Sequence, residues 1–426
     1  MRHAFVVIVA GSIVSACAIL TRLDDLSSSD GGADVVASDS PSDATPLVDG
    51  GTAIVSVGAV SDATGNVQQT HLVWAAVSQR WVLFYVRDTT PKIVFTMISP
   101  DFVTWSQGQT LALPYTIAST GRELSVSYQK IGGNDVVHLA VSHEISMNQR
   151  RHTHARALVQ GDTINFTTPE DVSLASTSIN AVDPDAPATL VTTGGAVYDA
   201  TGFVAFGDAG SYYNANLFVA KNNDDGSPTY TSGGWNQVDL EITKRHVNSR
   251  ALLEGAGTIA ALWDNADVKP DPTDIHAAVY VGSSWSVPNG LYDAGGGMNE
   301  NEWSIAITGG FNVHVIRKTT AGAFQHLVGS PTLGPRGAVP AISASPTGGV
   351  LLLPNASGVA LYVIATDNSI QSSTYAANAW SAWSVVVPAT IAGRGYLSGF
   401  SGNGGQRALI WTQVALGGYE IDGIKL

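Results

Sequence analysis

Seven times between residues 71 and 402 the chain returns to one theme. A short apolar run is followed by a turn, a second and third apolar run, then a Trp or Phe before a last short run. The runs HLVWAAV, ELSVSYQ, ATLVTTG, ALLEGAG, WSIAITG, AISASPT and YLSGFSG open the blocks. The clearest endings carry Trp105, Phe166, Trp235, Trp285 and Trp383. A unit this small cannot bury its own apolar faces, so it must stack on its neighbours. Block spacing of roughly 40 to 65 residues fits propeller blades with loop insertions. Helical periodicity is almost absent, and the runs are bounded by Gly, Asn, Asp and Pro. The expected fold is therefore all-β, a seven-bladed β-propeller. The seventh block is one strand short, and AIVSVGAV (53–60) can supply that strand, closing the ring and covering an edge. A six-bladed ring is the main alternative because the fifth block is weakly marked. A pair of β-sandwiches is a more distant one.

The ring does not begin at the N-terminus. Residues 1–16 read as an export signal, with Arg2 and His3 followed by the apolar run Ala4 to Val14. That run is too short to span a bilayer permanently. Val14-Ser15-Ala16-Cys17 resembles a lipoprotein box, which implies cleavage before Cys17 and a lipid on its sulfur. The alternative is a secretory signal that happens to contain a cysteine. Cys17 is the only cysteine, so no disulfide forms within the chain. Residues 17–51 form a tether. Its part from 24 to 51 holds seven aspartates, no positive charge and no aromatic residue, too little apolar surface to offset ordering. Residues 52–426 are the propeller. The expected location is the bacterial envelope, as an outer-membrane lipoprotein on either side of that membrane. Contact with the membrane would run through the lipid alone.

The full chain carries a net charge of −14, and residues 52–426 keep 28 acidic and 19 basic residues, about −9. No basic face stands out, which argues against nucleic acid and anionic membrane surfaces as partners. A monomer is expected.

Two stretches carry a family resemblance. SPDFVTW resembles the Asp-box turn of the sialidase-like propeller superfamily, with Ser99, Asp101 and Trp105 in matching roles, although it lacks the glycine and is one residue short. It is also similar to a turn of arabinanase-like propellers. DNSIQSSTYAANAWSAWSVVV resembles a repeat of propeller lectins that bind fucose and related sugars. The resemblance implies a carbohydrate-facing propeller and assigns Asp101 and Trp105 to folding. The arginine triad of sialidases has no recognisable counterpart.

Links between blades, and links between second and third strands, open on one face of a propeller. Sorted by that rule, much of the charge gathers there. Glycoside hydrolysis needs two carboxylates, and Glu123, Asp185, Asp264 and Glu302 are candidates on different blades. Within HEISMNQRRHTHARALV (143–159), HEISMNQRRH (143–152) reads as a long loop between second and third strands, with His152 and His154 entering the third strand. His152 beside arginines could serve as a base in lyase chemistry. A His-x-His pair can also hold Zn, Cu or Fe with a third ligand. Alternatively, one histidine caps the strand and the other packs between blades. The aspartates of DNADVKPDPTD suit Ca²⁺, but the EF-hand spacing is absent. Neither Ca nor Zn is favoured. Sugar binding needs aromatic faces and polar side chains, which Arg122, His154, Tyr212, Tyr213, His246, Arg250 and Asp264 could supply. The leading reading is a glycan-binding envelope propeller. A glycoside hydrolase or polysaccharide lyase of the same fold follows closely, and an envelope protein-interaction scaffold is third.

Overall fold

The computed structural model describes residues 52–426, apart from 60–62, 65–69, 88–92, 112–123, 147–148, 173–188, 208–209, 242–246, 256–257, 266–273, 282–283, 286–288, 294–302, 310–311, 320–321, 330–332, 346–348, 403–404 and 417. The signal, Cys17 and the tether lie outside the described residues. Those described are strands, turns and bends, with no α-helix among them.

The strands run in chain order. The first group is β1 (Ala53–Ala59), β2 (Leu72–Ala75), β3 (Arg80–Arg87), β4 (Ile93–Ser99) and β5 (Ser106–Leu111). A second sheet holds β6 (Leu124–Ile131), β7 (Asn134–Ser146), β8 (Gln149–Gln160), β9 (Thr163–Phe166) and β10 (Glu170–Asp171). The third holds β11 (Thr189–Thr193), β12 (Ala196–Gly207), β13 (Gly210–Ala220) and β14 (Trp235–Glu241). The fourth holds β15 (Val247–Gly255), β16 (Thr258–Asn265), β17 (Asp274–Val281), β18 (Ser284–Trp285) and β19 (Asn289–Asp293). The fifth holds β20 (Trp303–Thr308), β21 (Asn312–Lys318), β22 (Phe324–Gly329) and β23 (Leu333–Ala338). The sixth holds β24 (Val350–Asn355), β25 (Gly358–Ile364), β26 (Ile370–Ala376), β27 (Ala379–Trp380) and β28 (Ser384–Val387). Finally β29 (Arg394–Ser401), β30 (Arg407–Ala415) and β31 (Gly418–Lys425) return to the first sheet.

The all-β propeller expectation holds, but the count of seven blades is corrected to six. The strands assigned to a separate first and last blade form one eight-stranded sheet. β1 pairs with β31 through Ala53↔Gly423 to Ala59↔Tyr419, and also bridges to β3 at Ala59↔Arg87. A block count on sequence tallies repeats and cannot see that two of them share one hydrogen-bonded ladder.

The inner strands of the first sheet are packed on both faces, which explains their sequence. β3, RWVLFYVR, is buried from Trp81 to Val86 rather than alternating. Trp81 is fully buried, and the rings of Trp74, Phe102 and Phe400 lie 5.1–5.7 Å from it. The SPDFVTW turn joins β4 to β5 and feeds that cluster. Asp101 accepts from the Val103 and Thr104 N–H groups at 2.8 and 2.7 Å, Ser99 Oγ from Phe102 N–H at 2.8 Å, and Trp105 Nε1–H donates to Phe102 O at 3.1 Å. These bonds hold Phe102 at a left-handed φ of 71° and aim its ring inward. A Cβ on Gly423 of β31 would come within 3.0 Å of that ring.

Candidate functional site

The expected loop at 143–152 is corrected: its described residues belong to β7, which ends at Ser146, and β8, which begins at Gln149. β7 and β8 stay paired through His143↔Arg151 and Glu144↔Arg150 to Ser146↔Gln149, so the polar residues ride on a continuing ladder. Their charge density suggests a loop, yet backbone pairing needs no apolar side chain where solvent can take the polar ones.

Alternation along β8 puts His154 and Arg156 on one face. Across the ladder, His138 of β7 stands opposite Arg156, and Ala140 stands opposite His154. The two imidazoles therefore meet on the diagonal. They stack with centroids 5.1 Å apart and link His138 Nδ1 to His154 Nε2 at 2.9 Å. Glu170, opposite His154 on β10, bonds His154 Nδ1 through Oε1 at 2.9 Å, and Ser232 Oγ donates to its Oε2 at 2.6 Å. The third sheet closes the other end through the segment between β13 and β14. Asp224 Oδ2 lies 3.0 Å from His138 Nε2 and also accepts from Arg156 Nε. Its Oδ1 takes Arg156 Nη2–H at 2.9 Å and Gly226 N–H at 2.7 Å. Tyr230 lies under the Arg156 guanidinium at 5.2 Å, and Trp235 meets His154 edge-to-face at 5.0 Å. The side chains of His138 and Asp224 are fully buried, while that of Glu170 is 34% exposed.

The result is a chain, Glu170–His154–His138–Asp224, with Arg156 neutralising its inner end. It has three links and each needs one proton. Two neutral imidazoles carry two, so the chain holds one more. Burial pushes His138 down to about 4 against the pull of Asp224, so His138 is neutral near pH 7. Asp224 is ionised: burial raises it, but the bonds from His138, Arg156 and Gly226 outweigh that and hold it at about 2. Burial also raises Glu170, and the bonds from His154 and Ser232 bring it below its ordinary value. The third proton is shared within the chain, which Glu170 and Asp224 hold at its two ends.

The fifth and sixth sheets repeat this seam in part. His314 of β21 and His326 of β22 stack at 5.3 Å and link Nδ1 to Nε2 at 3.1 Å. Ile316 stands opposite His326, which gives the diagonal placement of the first pair. Tyr375 and Trp380 of the sixth sheet meet His326 at 4.5 and 5.1 Å, as Tyr230 and Trp235 meet the first pair. Thr308 on β20 is the register counterpart of Gln129 on β6: its Oγ lies 3.0 Å from His314 Nε2, as Gln129 lies 3.5 Å from His138 Nε2.

Of the residues singled out by sequence, only His154 has a described side chain. It is buried between sheets, with both ring nitrogens bonded to the chain itself. His152 lies on β8, Tyr212 and Tyr213 on β13, Arg250 on β15 and Asp264 on β16. Arg122, Glu123, Asp185, His246 and Glu302 lie outside the described residues. Among the described residues, no group of three or more His, Cys, Asp or Glu is placed to hold a metal. Sequence reasoning missed His138, Arg156, Glu170 and Asp224, and the pair His314 and His326. A signal existed: Tyr and Trp recur five residues apart at 230/235, 280/285 and 375/380. Two of those three pairs mark a histidine seam.

No protein-family model matches the chain, and no curated protein sequence matches it. Among solved structures it is similar to the BP39L lectin from Burkholderia pseudomallei, with a TM-score of 0.54 and 13% identity over 83% of this chain and 98% of the lectin. The Trypanosoma rangeli sialidase bound to the inhibitor DANA gives 0.47 and 10% over 85% of this chain; the match spans 55% of that enzyme, about half its length. The Aleuria aurantia lectin, described as a six-bladed β-propeller, gives 0.41 and 13% over 71% of this chain and 95% of the lectin. The likeness to the BP39L lectin is one of fold: the chain is an all-β propeller.

Proposed function

We propose that this protein is a carbohydrate-binding propeller of the bacterial cell envelope, held at the membrane by a lipid on Cys17. One observation carries the binding half: the chain shares its fold with the BP39L lectin across 98% of that lectin, at a TM-score of 0.54. Arg122, His154, Tyr212, Tyr213, His246, Arg250 and Asp264 remain the candidate sugar contacts. Propeller lectins and a sialidase among the neighbours of this fold support a glycan as the class of partner.

A second reading is an enzyme, a glycoside hydrolase or polysaccharide lyase. The observation that favours it is the proton chain, whose partly exposed end, Glu170, could exchange a proton with a bound sugar. Glu123, Asp185, Glu302 and His152 remain its candidate partners.

The test is a panel of neutral, sialylated and uronate-containing glycans incubated with the purified protein, followed by size separation and mass spectrometry. Intact glycan travelling with the protein is the expected result. Shortened products would replace binding by hydrolysis or elimination, according to their mass. No interaction across a broad panel would sink both readings and leave the interaction scaffold. The anchor is read by cell fractionation, in which Cys17→Ser should move the protein out of the membrane fraction.

A further inference from the structure

The last three strands, β29 to β31, end in a surface unlike the other sheets. Ile391 precedes β29, Leu416 follows β30, and both are fully exposed. Exposed apolar residues scattered singly need no explanation, but these two sit on joined loops. Val414 N–H donates to Gly393 O at 3.0 Å and ties one loop to the other. Val414 is half exposed and stands opposite the partly exposed Tyr419 of β31. The surface is also uncharged: PATIAG (388–393) and VALGGY (414–419) hold no charged residue. The matching links between second and third strands of the other sheets carry charge at or beside the turn, with Lys92, Arg150, Asp208, Asp267, Lys318 and Asp367. Glu420, the next acid along β31, alternates to the opposite face from Tyr419 and accepts from Gln413 Nε2–H at 3.2 Å.

We propose that these two loops dock on a lipid bilayer, with Ile391 and Leu416 entering the apolar layer and Tyr419 at its edge. The layout of the chain favours a bilayer over other apolar partners. β1 opens at Ala53 opposite Gly423, so the chain before residue 52 leaves from the strand paired with the one that bears Tyr419. Residues 17–51 separate that point from Cys17. A segment of that length reaches about 120 Å when extended, whereas β1 is about 24 Å long, so a lipid on Cys17 and the patch can sit in one membrane. Charge sets the kind of contact. A chain of net charge −14 gains nothing from anionic headgroups, and an uncharged patch meets lipid through apolar burial. The inference rests on the lipid-anchor reading to bring a bilayer within reach. Two membrane signals hold a protein where one is marginal, and here the second also fixes its orientation. Membrane contact through the lipid alone, the expectation from sequence, is thereby extended to a second point.

The experiment adds vesicles of phosphatidylethanolamine and phosphatidylglycerol to the full chain carrying Cys17→Ser, which removes the lipid. Leu416→Cys or, separately, Lys425→Cys then supplies the single thiol for an environment-sensitive fluorophore. Lys425 is exposed at the far end of β31. The label at 416 should shift to shorter wavelength when vesicles are added, and the label at 425 should not. Because the apolar run 4–14 can also meet lipid, this local readout is the deciding one. Adding Ile391→Asp should raise the lipid concentration at half the shift at least tenfold. Each substituted residue is exposed, and circular dichroism of the variants would verify the fold. No shift at 416, or equal shifts at 416 and 425, would overturn the docking. So would a shift at 416 that needs no vesicles and grows with protein concentration, which would assign the patch to a second copy of the chain. The anchor fails separately: if Cys17→Ser leaves cell fractionation unchanged, the lipid on Cys17 is removed and the label at 416 still decides the patch.

Discussion

At the scale of single residues the first seam depends on Asp224. It is fully buried and accepts bonds from His138, Arg156 and Gly226. Such a pair adds little net stability while intact, because both charges have left water. Breaking it is another matter. Asp224→Ala leaves the Arg156 guanidinium buried without its counter-charge, and should cost about 3–5 kcal/mol in urea unfolding. Adding Arg156→Leu removes the stranded charge, so the double variant should be more stable than Asp224→Ala alone. A double variant that loses the full sum of the two single losses would show that the two residues do not act as a pair.

At the scale of elements, the segment between β13 and β14 carries Asp224, Tyr230 and Ser232 to the second sheet, and glycine makes the approach close enough. Gly226 adopts a φ of +83°, and a Cβ there would lie 2.5 Å from Ile131 O. Gly133, on the neighbouring β6–β7 turn, has a similar φ of +78° with open space around it. Gly133→Ala should therefore cost only the conformational strain, about 1 kcal/mol. Gly226→Ala adds a backbone clash and disturbs the N–H held by Asp224, so its loss should exceed that of Gly133→Ala by about 1–3 kcal/mol. Thermal unfolding of both variants decides it, and equal losses would mean the segment does not need its close seat. Much at this scale was legible in the sequence. Apolar runs between turn residues marked the strands, and SPDFVTW marked the β4–β5 turn. The pairing of the ends of β7 and β8 was not, because a charged stretch looks like a loop until its pairing partner is known. The sheet count was not either, since the single bridge Ala59↔Arg87 that joins two groups of strands leaves no mark in composition.

At the scale of the whole molecule, buried histidines set the response to acid. Their burial is a property of stacking sheets against one another, which explains why the sequence did not single them out: His71, His138, His314 and His326 lie in unremarkable contexts. Burial lowers His71, His138 and His314 to about 4 and His326 to about 3. A contact with the Phe84 backbone offsets only part of the effect at His71. For each, the folded value lies below the unfolded 6.5, so the unfolded chain takes up protons first as the pH falls. Stability is therefore complete above about pH 6.5 and drains away toward pH 4, by up to about 1.4 kcal/mol per pH unit for each histidine. Asp224, held at about 2, loses its contribution only at lower pH and does not soften this limb. Against a total stability on the order of 5–15 kcal/mol, the four histidines together withdraw about 8 kcal/mol by pH 5 and about 12 kcal/mol by pH 4, enough to unfold a ring of ordinary stability in that interval. His71 offers the cleanest test because it stands apart from both imidazole pairs. His71→Leu removes one titrating group and should move the acid midpoint, followed by tryptophan fluorescence, down by about half a pH unit. An unchanged midpoint would show that buried histidines do not drive acid unfolding, and would shift attention to the carboxylates.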